Sequence, residues 1–182
     1  LTVFAIATAA LLTQAYALAQ CPLPSFTANY TLTHGQNKPL GTMQVNLIYK
    51  ANNNYRIHQT SKVKVLFFTD NTDTIANGTF QNKGFTADHF QFHEQRKGIS
   101  VQHNLSHSKN KQYDPLSSIL QLRYDLAQNP QQKNFQYTVS LGQKVKTKDF
   151  QVLSEHNKIY TPLGEFDTIE VGSLTDNIET HY

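Results

Sequence analysis

One cysteine, Cys21, is all that the 182 residues contain. No disulfide can form within the chain, and its core alone must hold the fold. Beyond residue 19 no stretch approaches the ~18 apolar residues of a membrane-spanning helix. Charge is sparse and nearly balanced, 16 Lys and Arg against 13 Asp and Glu, for a net +3. The basic residues are scattered through turns and strands and form no dense stripe, so nucleic acid is not an expected partner. Familiar catalytic signatures are missing too: no G-x-S-x-G elbow, P-loop or Rossmann glycine pattern, and no second thiol for redox work. Asp70 and Asp73 read as bracketing a turn, and Asp114 and Asp125 as serving a helix, which leaves no carboxylate pair for glycoside hydrolysis. A protein without catalytic residues, cofactor or metal is expected.

What is present begins with Leu1 to Ala19, an uncharged run rich in Ala and Leu that ends in Ala17-Leu18-Ala19, a site of the type cut by signal peptidase. A signal peptide over 1–19 is expected, and with it a periplasmic or secreted protein. Cys21 follows closely, but a lipoprotein signal wants a small residue before the cysteine and Gln20 stands there. Lipid attachment through Cys21 is the less favoured alternative. Residues 20–182 have the length of one domain, able to bury roughly 70% of the unfolded surface.

One segment reads as a helix, about 115–128. Asp114 suits the N-cap and Pro115 the first helical position, where its missing N–H goes unneeded. At ~100° per residue, Leu116, Ile119, Leu120, Leu122, Leu126 and Ala127 share an apolar arc, with Ser117, Ser118, Gln121 and Asp125 opposite. Arg123 falls inside that arc. It must snorkel to an edge or find a buried partner, as a structural tie or as a grip on an anionic ligand.

Everything else reads as strand. Phe26, Ala28, Tyr30 and Leu32 alternate with polar residues; Met43, Val45, Leu47 and Tyr49 follow, and Asn52-Asn53-Asn54 turns the chain into a third strand. Leu66-Phe67-Phe68 breaks the alternation, either as a strand end buried across the core or as a hydrophobic lip for a lipid-like ligand or a protein partner. A strand over 72–80 comes next. After the helix, Phe135, Tyr137, Val139 and Leu141 alternate, Phe150 and Val152 carry another strand, and Glu155-His156-Asn157-Lys158 is expected to turn a hairpin. Thr161-Pro162-Leu163-Gly164 then delivers a strand, and Ile178 to Tyr182 reads as one cut short. The fold expected is mainly β: an antiparallel meander of about ten strands curved into a barrel or half-barrel, with the helix packed on or in it.

The hairpin from Asp88 to His107 can be read in register. With Lys97-Gly98 as a two-residue turn, Arg96 pairs with Ile99, Glu94 with Val101, Phe92 with His103 and Phe90 with Leu105. Glu94 and His103 thus join Phe90 and Phe92 on one face, the best candidate for an internal acid/base pair. The spacings His89/His93 and His103/His107 suggest a metal only on a helix; on strands ~13 Å separates the two α-carbons of each pair, too far for one ion.

Taken together, the export signal, Phe26-Thr27-Ala28-Asn29-Tyr30, Asp114-Pro115-Leu116-Ser117 leading to Leu122-Arg123, and Thr161-Pro162-Leu163-Gly164-Glu165-Phe166-Asp167-Thr168 resemble the bacterial exported family called domain of unknown function 3108. The resemblance implies a Gram-negative envelope protein of mostly antiparallel β structure and no established activity. Its pattern would continue through another strand or two beyond Tyr182.

Three functions follow as expectations. The first is a non-catalytic periplasmic binding or carrier protein, with Phe90, Phe92, Glu94, His103 and Arg123 facing a lipid-like or glycan ligand in an interior that includes Phe26, Tyr30, Tyr49, Phe135 and Tyr137. An envelope assembly module would keep a filled core and use a surface such as Leu66, Phe67 and Phe68. A hydrolase would use Glu94 and His103.

Overall fold

Apolar and polar residues alternate through ten antiparallel strands among the residues described in this computed structural model, which are 24–34, 38–65, 68–81, 84–96, 99–106, 112–141, 144–161, 164–175 and 178–181. Six form one sheet in sequence order: β1 (Phe26–His34), β2 (Lys38–Tyr49), β3 (Asn54–Val65), β4 (Phe68–Gln81), β5 (Gly84–Arg96) and β6 (Ile99–Ser106). Helix α1 (Pro115–Gln128) follows. The other four strands, β7 (Asn134–Leu141), β8 (Lys144–Thr161), β9 (Gly164–Thr175) and β10 (Ile178–His181), form a second meander. No closed barrel is found among the described residues. The physical reason lies at the centre of the chain, where α1 and its polar connection interrupt the run of hairpins.

Pairing fixes which residues share a face. Phe26, Leu47, Ile57, Ala76 and Phe90 lie in one row across the large sheet. This is the inner face, and its Leu47, Ile57, Ala76 and Phe90 are buried. The β5–β6 register runs Arg96–Ile99, Glu94–Val101, Phe92–His103 and Phe90–Leu105, as the sequence predicts. The Asn52–Asn54 turn is also present, as a 3-10 turn over Ala51–Asn53 in which Asn52 and Asn53 take φ of 60° and 57°. Asparagine tolerates that left-handed region better than most side chains.

Two turn assignments need correction. Asp70 and Asp73 lie within β4, three positions apart and so on opposite faces: Asp70 pairs with Arg96 (3.3 Å) and Asp73 with His58 (3.2 Å). Glu155-His156-Asn157-Lys158 is not a hairpin turn; β8 continues through it to Thr161. Register shifts between Val152 and Asn157 absorb the polar residues. The Asn157 side chain donates to Glu170 (2.5 Å), and the Thr168 hydroxyl donates to the Asn157 carbonyl (2.9 Å), which holds the bulged segment against β9. Beyond Val152, β8 and β9 project as an arm on which Leu153, Ile159, Tyr160, Phe166 and Ile169 are exposed.

The helix joins the two sheets. The Asp114 carboxylate accepts from the Leu116 and Ser117 amides, both at 2.9 Å, and from the Ser117 hydroxyl. Leu116, Leu120 and Tyr124, spaced i, i+4, i+8, pack on the large sheet with Tyr55, Phe80 and Phe85. Leu122, with Ile119 and Leu126 beside it, packs on Phe135, Val139, Phe150 and Val171 of the small one. The helix is therefore not simply amphipathic: Ser117, Ser118 and Gln121, opposite the apolar arc, are buried, while Ala127 within the arc is exposed. The burial is affordable because each polar group is paired. Tyr55 Oη lies 2.6 Å from Ser117 Oγ, and the Tyr55 hydroxyl donates to the Thr86 carbonyl at 3.1 Å. Gln121 accepts from the Phe85 amide (2.7 Å) and donates to Asp125 (2.9 Å), which also accepts from the Tyr137 hydroxyl (2.7 Å). A polar thread thus crosses from β5 through α1 to β7. Gly78 makes room for Tyr55, since a Cβ there would lie 2.7 Å from its ring and 1.8 Å from the Thr86 carbonyl oxygen. Upstream, Tyr113 extends the small sheet by a parallel bridge to Val139, donating to Thr138 (2.9 Å) and accepting from Ser140 (2.8 Å).

Two outcomes follow from this packing. Asp114→Ala removes the cap and leaves the buried Leu116 and Ser117 amides without their acceptor, at a cost of about 3 kcal/mol, which a thermal melt should register as a fall in Tm of about 10 °C. The second concerns alkali. Burial, and next the charge of Asp114, raises the Tyr55 hydroxyl above the usual tyrosine range, and burial and the bond to Asp125 raise Tyr137. Both ionise near pH ~10 in the unfolded chain. Their contribution is whole below that pH and is lost as pH rises above it, by about 1.4 kcal/mol per pH unit for each group. Urea midpoints measured from pH 9 upward should fall with pH, with a shallower slope in Tyr55→Phe.

Candidate ligand-binding site

Of the residues singled out in the sequence, Phe90, Phe92, Glu94 and His103 do meet on the inner face of the large sheet. Phe90 is buried in the core, and Phe92 lies against that core with the His103 ring stacked on it, centroids 6.1 Å apart and planes at 18°. Glu94 lies opposite Val101. No hydrogen bond or ion pair joins Glu94 to His103 among the described residues. Arg123 stands apart from them: it is exposed on α1, with its guanidinium 5.8 Å from the Phe26 ring centroid. Leu66 and Phe67 lie outside the described residues; Phe68 opens β4, paired with Val65.

The aromatic interior is occupied. Phe26, Tyr49, Phe90 and Phe92 gather around Leu116, Leu120 and Tyr124 of the helix, and Phe135 and Tyr137 around Leu122. Tyr30 is the exception, 46% exposed. Among the described residues no group of three or more His, Cys, Asp or Glu could hold a metal ion, and His107 is outside them.

A different feature lies on the opposite face of the large sheet. A trough of about 680 Å³ crosses β1 to β5. Pairing sets two rows of side chains along it: Asn29, Gln44, Thr60, Asp73 and His93 in one, Thr31, Thr42, Lys62, Asn71 and Gln95 in the other. Thr60, Asn71 and Asp73, on the central strands, are half-buried and form the floor, while Asn29, Gln44, His93 and Gln95 are exposed at the flanks. The first row is braced by contacts within it and beside it: Gln44 donates to Asn29 (2.8 Å), His58 holds Asp73 (3.2 Å), and His93 Nε2 lies 3.4 Å from Ser100 Oγ. In the second, the side chains of Lys62, Asn71 and Gln95 make no hydrogen bond to another described residue. Tyr30, Met43, Ser61 and Thr72, one position between the two rows, complete the lining. Chemically this is a mainly polar field of amides and hydroxyls with one ammonium, one imidazole and one carboxylate, suited to a ligand with many neutral donors and acceptors.

Sequence reasoning passed over these residues because polar positions alternating with apolar ones read as a solvated face. A signal was there: the outward positions of β1 to β5 carry amides and threonines where Lys and Glu would be the common choice. Compared with protein-family models, curated proteins and solved structures, the chain matches none.

The cation–π contact of Arg123 is solvent-exposed and accordingly weak. Arg123→Ala should lower stability by no more than about 1 kcal/mol in urea denaturation; a larger loss would mean that the side chain ties the helix to β1.

Proposed function

We propose that the protein is an exported, non-catalytic binding protein of the bacterial envelope whose ligand is polar and lies in the trough across β1 to β5. The observation that carries this reading is the contrast between the two faces of the large sheet. The inner face is packed by α1, so its aromatic residues serve as core, whereas the outer face holds a trough of about 680 Å³ lined mainly by polar side chains, most of them amides and hydroxyls. That contrast favours a glycan-like ligand over the lipid-like one, and the reading needs no closed barrel. Export is supported by Leu1 to Ala19 with its Ala17-Leu18-Ala19 site, and the envelope by the resemblance to the exported bacterial family. A hydrolase built on Glu94 and His103 gains no support from a histidine stacked on Phe92.

An assembly module is the second reading, and the β8–β9 arm favours it, since its five large apolar side chains are 43% to 75% exposed. One experiment separates the two. The protein is purified gently from its own envelope with and without crosslinking, beside a Thr60→Trp variant that fills the trough floor, and masses are read under native conditions. A co-purifying small polar mass that the variant loses supports the binding reading. A mass retained equally by both overturns it, and a protein crosslinked through the arm with no small mass favours the assembly module.

A further inference from the structure

We infer that the trough takes a neutral, extended glycan chain lying across the strands, a proposal that rests on the binding reading above and names its ligand class. Strands in a sheet are ~4.8 Å apart, so a row of one side chain per strand offers a polar group at a spacing close to the length of one sugar unit in an extended chain. Five strands, β1 to β5, line the trough. From the first to the fifth is about 19 Å, room for a chain of four or five sugars.

The side chains match that class of ligand. Amides such as Gln44, Asn71 and Gln95 present a donor and an acceptor together, the pair that adjacent sugar hydroxyls or an acetamido group require. Charge argues for neutrality. The trough carries one ammonium, Lys62, one imidazole, His93, and one carboxylate, Asp73, so it has no cluster of cations for a uronate or phosphate chain, and Asp73 already holds His58 at 3.2 Å. Internal bracing supports recognition as well. Asn29 and Gln44 are fixed by their mutual bond, and Asp73 by His58, so less side-chain freedom is lost when a ligand arrives. Lys62, Asn71 and Gln95, without such bonds to described residues, are the groups left to reach the sugar.

The test is a titration of the isotope-labelled protein, followed by amide and side-chain NMR, with three probes: the pentamer of N-acetylglucosamine, maltopentaose and trigalacturonate. The expected result is saturable shifts at Thr60, Asn71 and Gln95 with at least one neutral pentamer, much weaker binding of the matching disaccharide, and none of trigalacturonate. Asn71→Ala and Gln95→Ala should each weaken the pentamer by up to about tenfold while leaving the melting curve unchanged. Shifts with trigalacturonate alone, shifts located elsewhere, or none with any probe would overturn the neutral-glycan assignment. The binding reading itself would still stand or fall on the co-purified mass and its loss in Thr60→Trp.

Discussion

The Asp114 carboxylate is the interaction on which the architecture depends. It is fully buried, yet it answers three donors at the first turn of α1, and through Ser117 it reaches Tyr55 in the middle of the large sheet. Capping sets where the helix starts, and the start sets the phase of everything along it. With that phase, Leu120 faces one sheet and Leu122 the other, and Gln121 and Asp125 meet the Phe85 amide and the Tyr137 hydroxyl. A shift of one residue would rotate the helix by ~100° and send polar groups into apolar surface on both sides.

Filling the interior in this way sets the two faces of the large sheet apart. Among the described residues, the inner-face Phe and Tyr side chains are spent on packing the helix, and that burial is what holds the two sheets together. The outer face is under no such demand. Its side chains can be chosen for hydrogen bonding, and the amides and threonines found there are compatible with strand geometry without contributing to the core.

How legible all this was depended on how local the cause is. The Asp114-Pro115 start, the helix to Gln128 and the β5–β6 register are written in neighbouring residues, and they are found as read. What depended on contacts between distant segments was not legible. Ser117 and Gln121 look solvent-facing in a helical projection and are buried because Tyr55 and Phe85 of the large sheet meet them there. Glu155 to Lys158 has turn composition, but partners on β9 keep it extended. Parity placed Asn29, Gln44 and Thr60 on the outer side; that they line a common hollow is a property of the assembled sheet, which alternation does not encode.

The order of strands carries a kinetic consequence. In both sheets each strand pairs only with its neighbours in sequence, and the one departure among the described residues is the bridge at Tyr113. Hairpins of this kind close short loops, so either half can zip without waiting for the other. What cannot form locally is the seat of α1, which needs both inner faces at once. Completing the fold therefore depends on contacts between distant segments, with Tyr55 and Phe150 brought to the two core clusters beside the helix from opposite halves of the chain.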